Sequence, residues 1–75
     1  RQLDQHNHLK GYRYFIQALN ILKYDRTLSM MDVYEIIADI HNVTPDSVRF
    51  AISRFIRKFD NRKPSEVIVY YSEQF

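Results

Sequence analysis

Only two residues, Asn42 and Val43, stand between two segments that each open with a helix N-cap signal and continue with apolar residues at helical spacing. Ser29 followed three residues later by Asp32 reads as a capping box with Asp in the usual Glu place, just ahead of Val33, Ile36, Ile37 and Ile40. This predicts a helix over about 30–41. Thr44 supplies the next N-cap, and Pro45 takes the first helical position, where its missing N–H costs nothing and its fixed φ suits the helix. At 100° per residue, Val48, Ala51, Ile52, Phe55, Ile56 and Phe59 fall within about 140° of arc, so this stripe predicts a helix over about 45–59.

A connection this short forces a sharp angle between the two helices and brings them into direct contact, the geometry of a helix-turn-helix. Asn42 lies where the chain must leave the earlier helix, and after Gly it is the residue that most readily adopts a left-handed conformation there. Ala38 is small enough to let the helices approach, and Val43 and Val48 can fill the angle between them.

On the N-terminal side, Leu9, Tyr12, Phe15, Ile16, Leu19 and Leu22 recur at three- and four-residue intervals, which predicts an amphipathic helix from Leu9 to Tyr24, ending near Asp25. On the C-terminal side, Glu66 to Tyr71 is rich in β-branched and aromatic residues, while Pro64-Ser65-Glu66 reads as a helix start. A lone strand would have no partner, so the expectation is a fourth short helix packing Val67, Ile68, Tyr71 and Phe75 onto the others. The fold class expected is all-α, a bundle of about four helices.

Composition limits what such a bundle can do. With 75 residues there is room for one domain, and a hydrophobic share of 45%, with six Tyr and five Phe, argues for a real core and against intrinsic disorder. Cys is absent, which removes disulfides and thiolate metal sites and fits a reducing compartment such as the cytoplasm. No apolar run approaches the roughly 20 residues of a membrane span, and the stretch from Arg1 to His8 is not signal-like, so no membrane partner is expected. The chain opens at Arg1 rather than Met, which marks it in this reading as a fragment of a longer regulator.

Net charge is only +2, but it is unevenly spread. Residues 1–43 balance five basic against five acidic side chains, whereas residues 44–63 carry six basic side chains against Asp46 and Asp60. The face of the 45–59 helix opposite its apolar stripe holds Asp46, Arg49, Phe50, Ser53, Arg54 and Arg57, with Ser47 and Lys58 at the margins. Arg, Ser and an apolar group suit the DNA major groove, where Arg pairs with guanine O6 and N7 and Phe can contact a thymine methyl. Arg57 and Lys58, farther along, suit phosphates. The candidate site for double-stranded DNA is therefore Thr44, Ser47, Arg49, Phe50, Ser53, Arg54, Arg57 and Lys58. The blander account of the same charges is a solvated helix face. Phe50 resists that account, because it points about 200° from Val48 and a large exposed apolar side chain marks a contact with DNA, another subunit or the last helix.

The run His8-Leu9-Lys10-Gly11-Tyr12-Arg13-Tyr14, followed by Ala18, Asp25, Tyr34, Ile37-Ala38, Asn42, Thr44, Val48, Ala51-Ile52 and Ile56, resembles the C-terminal effector domain of the stage-zero sporulation response regulators of spore-forming Firmicutes. Lys63-Pro64-Ser65 and Ile68 are similar to that family's final helix start, shortened by about two residues. The likeness covers nearly the whole chain, and Lys10-Gly11-Tyr12 is its most specific piece. It implies an all-helical fold and DNA binding through a helix-turn-helix, often as tandem copies. That family is switched on by phosphorylation of an N-terminal receiver domain in a two-component system, and the likeness implies that this fragment has lost, or never had, such a receiver, with RNA polymerase or its sigma factor as a further partner. By position it places base reading on Arg49, Phe50, Ser53 and Arg54, with Phe50 and Ser53 standing where the family carries Arg. Two lost guanine contacts, each worth about 1–3 kcal/mol of discrimination, imply a changed preferred sequence.

Two other function classes compete. An enzyme is disfavoured, because there are only three His and no Ser, His and carboxylate set at recognisable spacing. His6 and His8 read as a tail or helix lead-in rather than a metal site, His41 as the end of a helix, and nothing asks for a cofactor. The stronger competitor is a helical protein-interaction module that keeps the scaffold and uses Phe50 and the basic face to hold an acidic partner or another copy of itself.

Overall fold

The computed structural model describes the backbone of residues 2–74 and the side chains of residues 10–74. Four helices follow one another: α1 (Gln2–Tyr24), α2 (Met30–His41), α3 (Pro45–Ile56) and α4 (Pro64–Gln74). Among the described residues there is no strand, so the Pro64-Ser65-Glu66 start signal prevails over the β-branched run that follows it. The side chains of His6, His8, Leu9 and Phe75, for which the sequence predicts a lead-in, a place on the first apolar face and a place on the last helix, lie outside the described residues.

α1 is the central element and packs against the other three, while α3 also packs against α2 and α4. The described core is continuous: Tyr14, Phe15, Ala18, Leu19 and Leu22 from α1 meet Val33, Tyr34, Ile37 and Ala38 from α2, Val48, Ile52 and Ile56 from α3, and Val67 and Ile68 from α4. Gly11 is a point of close approach between α1 and α3. A Cβ placed there would lie 2.6 Å from the Ala51 carbonyl oxygen and 2.8 Å from the Phe55 Cβ. Gly is needed for this approach, since both obstacles belong to or adjoin the α3 backbone.

Each cap predicted between residues 29 and 47 is formed. Ser29 Oγ accepts the Asp32 N–H at 3.1 Å, and the Asp32 carboxylate accepts the Ser29 N–H at 3.2 Å. Asn42 takes the left-handed conformation, with φ 56° and ψ 47°. This closes α2 as a Schellman turn, in which the Val43 N–H donates to the Ala38 carbonyl at 3.0 Å and the Asn42 N–H to the Asp39 carbonyl at 3.3 Å. Thr44 Oγ1 then accepts the Ser47 N–H at 3.1 Å and opens α3.

Four expectations need correction. α3 ends at Ile56 rather than Phe59, because the next turn tightens: the Lys58 N–H donates to the Phe55 carbonyl and the Phe59 N–H to the Ile56 carbonyl, both three residues back. The tightened turn carries the Phe59 ring to 6.3 Å from the rings of both Phe15 and Tyr71, joining an aromatic cluster shared by α1, α3 and α4. Ile36 and Ile40 are exposed, Ile40 at 61%, because α1 and α3 cover only the face that carries Val33, Tyr34, Ile37 and Ala38. Tyr12 is half exposed, and its ring meets Phe55 edge-on at 5.7 Å rather than entering the core. α1 also begins at Gln2, ahead of Leu9.

Candidate nucleic-acid interface

α3 presents its outer face because Val48, Ile52 and Ile56, spaced four apart, are fully buried against α1, α2 and α4. At 100° per residue, Phe50, Arg54 and Arg57 each lie about 140° or more from the middle of that row. All three are exposed, Phe50 at 57%. Among the described residues, Arg54, Arg57 and Lys58 have no carboxylate partner. Three cations near the C-terminal end of α3 are also well placed for the helix dipole, which accounts for part of their position without any ligand.

Arg49 and Ser53 lie on the flank that turns toward α2. Arg49 donates to the Asp46 carboxylate at 3.3 Å, and its guanidinium sits 4.9 Å from the centre of the Phe50 ring. This bridge offsets the one negative charge in the first turn of α3. Burial pushes the Tyr34 phenol above its ordinary value, and the Arg49 charge pulls it partly back, so the Arg49 charge reaches the α2–α3 junction. Ser53 is half-buried on the same flank. Lys58 lies on the opposite flank, in the tightened turn beyond the end of α3.

Thr44 and Ser47 stand at the N-terminal end of this face. Both are exposed, but the Thr44 hydroxyl is engaged by the Ser47 N–H and by the Ser47 hydroxyl at 2.9 Å. Their first task is to cap the helix. The eight residues singled out in the sequence thus lie along the outer side of α3 and at its two ends, with Phe50, Arg54 and Arg57 in the central row and Arg49 and Ser53 along one edge. Its exit is marked by Asp60, whose carboxylate accepts the Arg62 guanidinium at 2.7 Å and the Arg62 N–H at 2.9 Å. Hydrogen bonds from the Arg62 side chain and backbone lower the Asp60 carboxyl to about 2.

No protein-family description, curated protein or solved structure matches the chain. The site therefore stands on its own geometry. Among the described residues no three His, Cys, Asp or Glu side chains are grouped to hold a metal, and no helix is long and apolar enough to cross a membrane. The sequence pattern missed the outer surface of α2, where Ile36 and Ile40 stand exposed beside Asp32, Glu35 and Asp39. One signal was available: α2 is apolar on more of its circumference than the face bearing Val33, Tyr34, Ile37 and Ala38 needs.

Proposed function

We propose that this domain binds double-stranded DNA in a sequence-dependent way, with α3 as the recognition helix of a helix-turn-helix and α2 bracing it. The observation that carries the reading is the outward row of Phe50, Arg54 and Arg57, held rigidly by the fully buried Val48, Ile52 and Ile56 on the other side of the same helix. Phe50 and Arg54 offer an apolar and a bidentate contact to base edges, and Arg57 and Lys58 offer charge to phosphates. The likeness to sporulation effector domains supports the same assignment and adds a bacterial transcription regulator working in the cytoplasm, with RNA polymerase or its sigma factor as partner and tandem copies on DNA.

A second reading, a protein-interaction module without specific DNA binding, is favoured by the exposure of Phe50, a ring as well suited to another protein as to a thymine methyl. Selection of bound sequences from a random duplex pool tests the first reading. The expected result is an enriched site whose binding weakens steeply with log[salt], and recovery of no sequence preference at low salt rejects it.

A further inference from the structure

The outer surfaces of α2 and α3 are complementary to one another. On α2, Ile36 and Ile40 form one exposed i, i+4 ridge, and Glu35 and Asp39 form the ridge beside it. No Lys or Arg occurs anywhere in α2. The outer face of α3 carries the opposite sign in one row: Phe50 supplies an apolar contact, and Arg54 and Arg57 follow one and two turns later.

Within one molecule these surfaces cannot meet, because α2 and α3 are packed together through their inner faces, Val33 and Ile37 on one side and Val48 and Ile52 on the other. We propose that they meet between molecules: the α2 face of one copy docks on the α3 face of a second copy, with Phe50 against Ile36 and Ile40 and the two arginines against Glu35 and Asp39. α4 is the poorer docking face. Its exposed Tyr70 is already capped by the Arg62 guanidinium, 4.9 Å from the ring centre, and Arg62 is itself held by Asp60.

The contact is heterologous, since each copy uses a different surface, so it continues head to tail rather than closing as a symmetric pair. It covers Phe50, Arg54 and Arg57, the centre of the surface assigned above to DNA. Resting on that assignment, self-association and duplex binding exclude one another, and the domain sequesters its own recognition helix as its concentration rises. Exposed charges make the contact sensitive to salt.

Sedimentation of the 75-residue chain tests this, at concentrations from about 10 µM to about 1 mM, the range of a weak transient contact. At low salt the average mass is expected to rise with concentration and to fall back to the monomer at high salt. The double variants Glu35→Lys/Asp39→Lys and Arg54→Glu/Arg57→Glu are each expected to stay monomeric, whereas their equimolar mixture associates head to tail again, which also shows that both are folded. A wild-type chain that stays monomeric throughout overturns the proposal. So does association that survives either double variant, or a mixture that remains two monomers. Adding duplex DNA separates this idea from the DNA assignment. Dissociation of the oligomer by duplex supports both, while reconstitution by the mixture with no response of the wild-type oligomer to duplex retains the self-contact and rejects the DNA reading.

Discussion

Gly11 lies against Ala51 so closely that the two helix backbones, α1 and α3, meet there with no side chain between them. By intrinsic propensity alone, Gly11→Ala in the interior of α1 would stabilise the helix by about 1 kcal/mol. The contact decides the opposite sign. A methyl group 2.6 Å from a carbonyl oxygen and 2.8 Å from the Phe55 Cβ cannot be relieved by turning a flexible side chain, and overpacking of this kind costs about 1–3 kcal/mol. Urea unfolding of Gly11→Ala is expected to show a lower midpoint with unchanged slope, and a midpoint at or above the wild type would show that α1 and α3 can separate freely.

The left-handed Asn42 makes a second, independent stability prediction. Asn42→Ala keeps the Schellman hydrogen bonds but places a side chain with no local polar compensation at φ 56°, a change expected to cost about 1 kcal/mol. Asn42→Gly removes that strain and is expected to match or slightly exceed the wild type. Paired thermal melts of the two variants check the order. Equal loss in both would place the role of Asn42 in its side chain rather than its backbone.

On the outer face of α3, Arg54 and Lys58 are expected to differ in kind. Lys58, in the turn beyond the helix, is assigned to phosphate, so Lys58→Ala is predicted to weaken duplex binding evenly across sequences and to reduce the salt slope by about 1. Arg54 lies in the central row, so Arg54→Ala is predicted also to relax one base position, with about 1–3 kcal/mol of discrimination lost there. Binding titrations on the selected site and on a set of single-base variants make the comparison, and unchanged affinity for both variants removes α3 from the interface.

Asp60 provides a test that needs no ligand. Its carboxyl is lowered from 3.8 to about 2 in the folded chain by hydrogen bonds from the Arg62 side chain and N–H, so the stabilisation it brings is complete above about pH 4 and disappears as pH falls through about 2. Carboxyl NMR should report a titration midpoint near 2. In Arg62→Gln the midpoint is expected to rise toward 3.8 without reaching it, because the backbone N–H of residue 62 still donates. A midpoint unchanged by the substitution would assign the shift to some other group.

Most of the fold was legible because the signals that set it are local. The Ser29–Asp32 box, the Thr44 and Pro45 start and the left-handed Asn42 each involve residues within one turn of each other, and such interactions keep the same geometry in the chain as in the assembled domain. The fourth helix was legible for the same reason, through Pro64-Ser65-Glu66. Ser47, Arg49, Phe50, Ser53 and Arg54 followed from the period of α3: once Val48, Ile52 and Ile56 are turned inward, the opposite side of a helix has no freedom left.

What the sequence by itself determined, then, is where α2, α3 and α4 begin, how the chain turns between α2 and α3, and which face of α3 looks outward. Only the tertiary structure decided which isoleucines of α2 are core, since Ile37 is fully buried and Ile40, one turn away, is 61% exposed. It also decided why residue 11 is Gly and why α3 stops at Ile56 so that Phe59 can reach Phe15 and Tyr71. The physical reason is common to all three. Burial and close approach are set by side chains that arrive from other helices, tens of residues away in the chain, and a local period identifies the apolar residues of a helix without saying how much of its circumference its neighbours will cover.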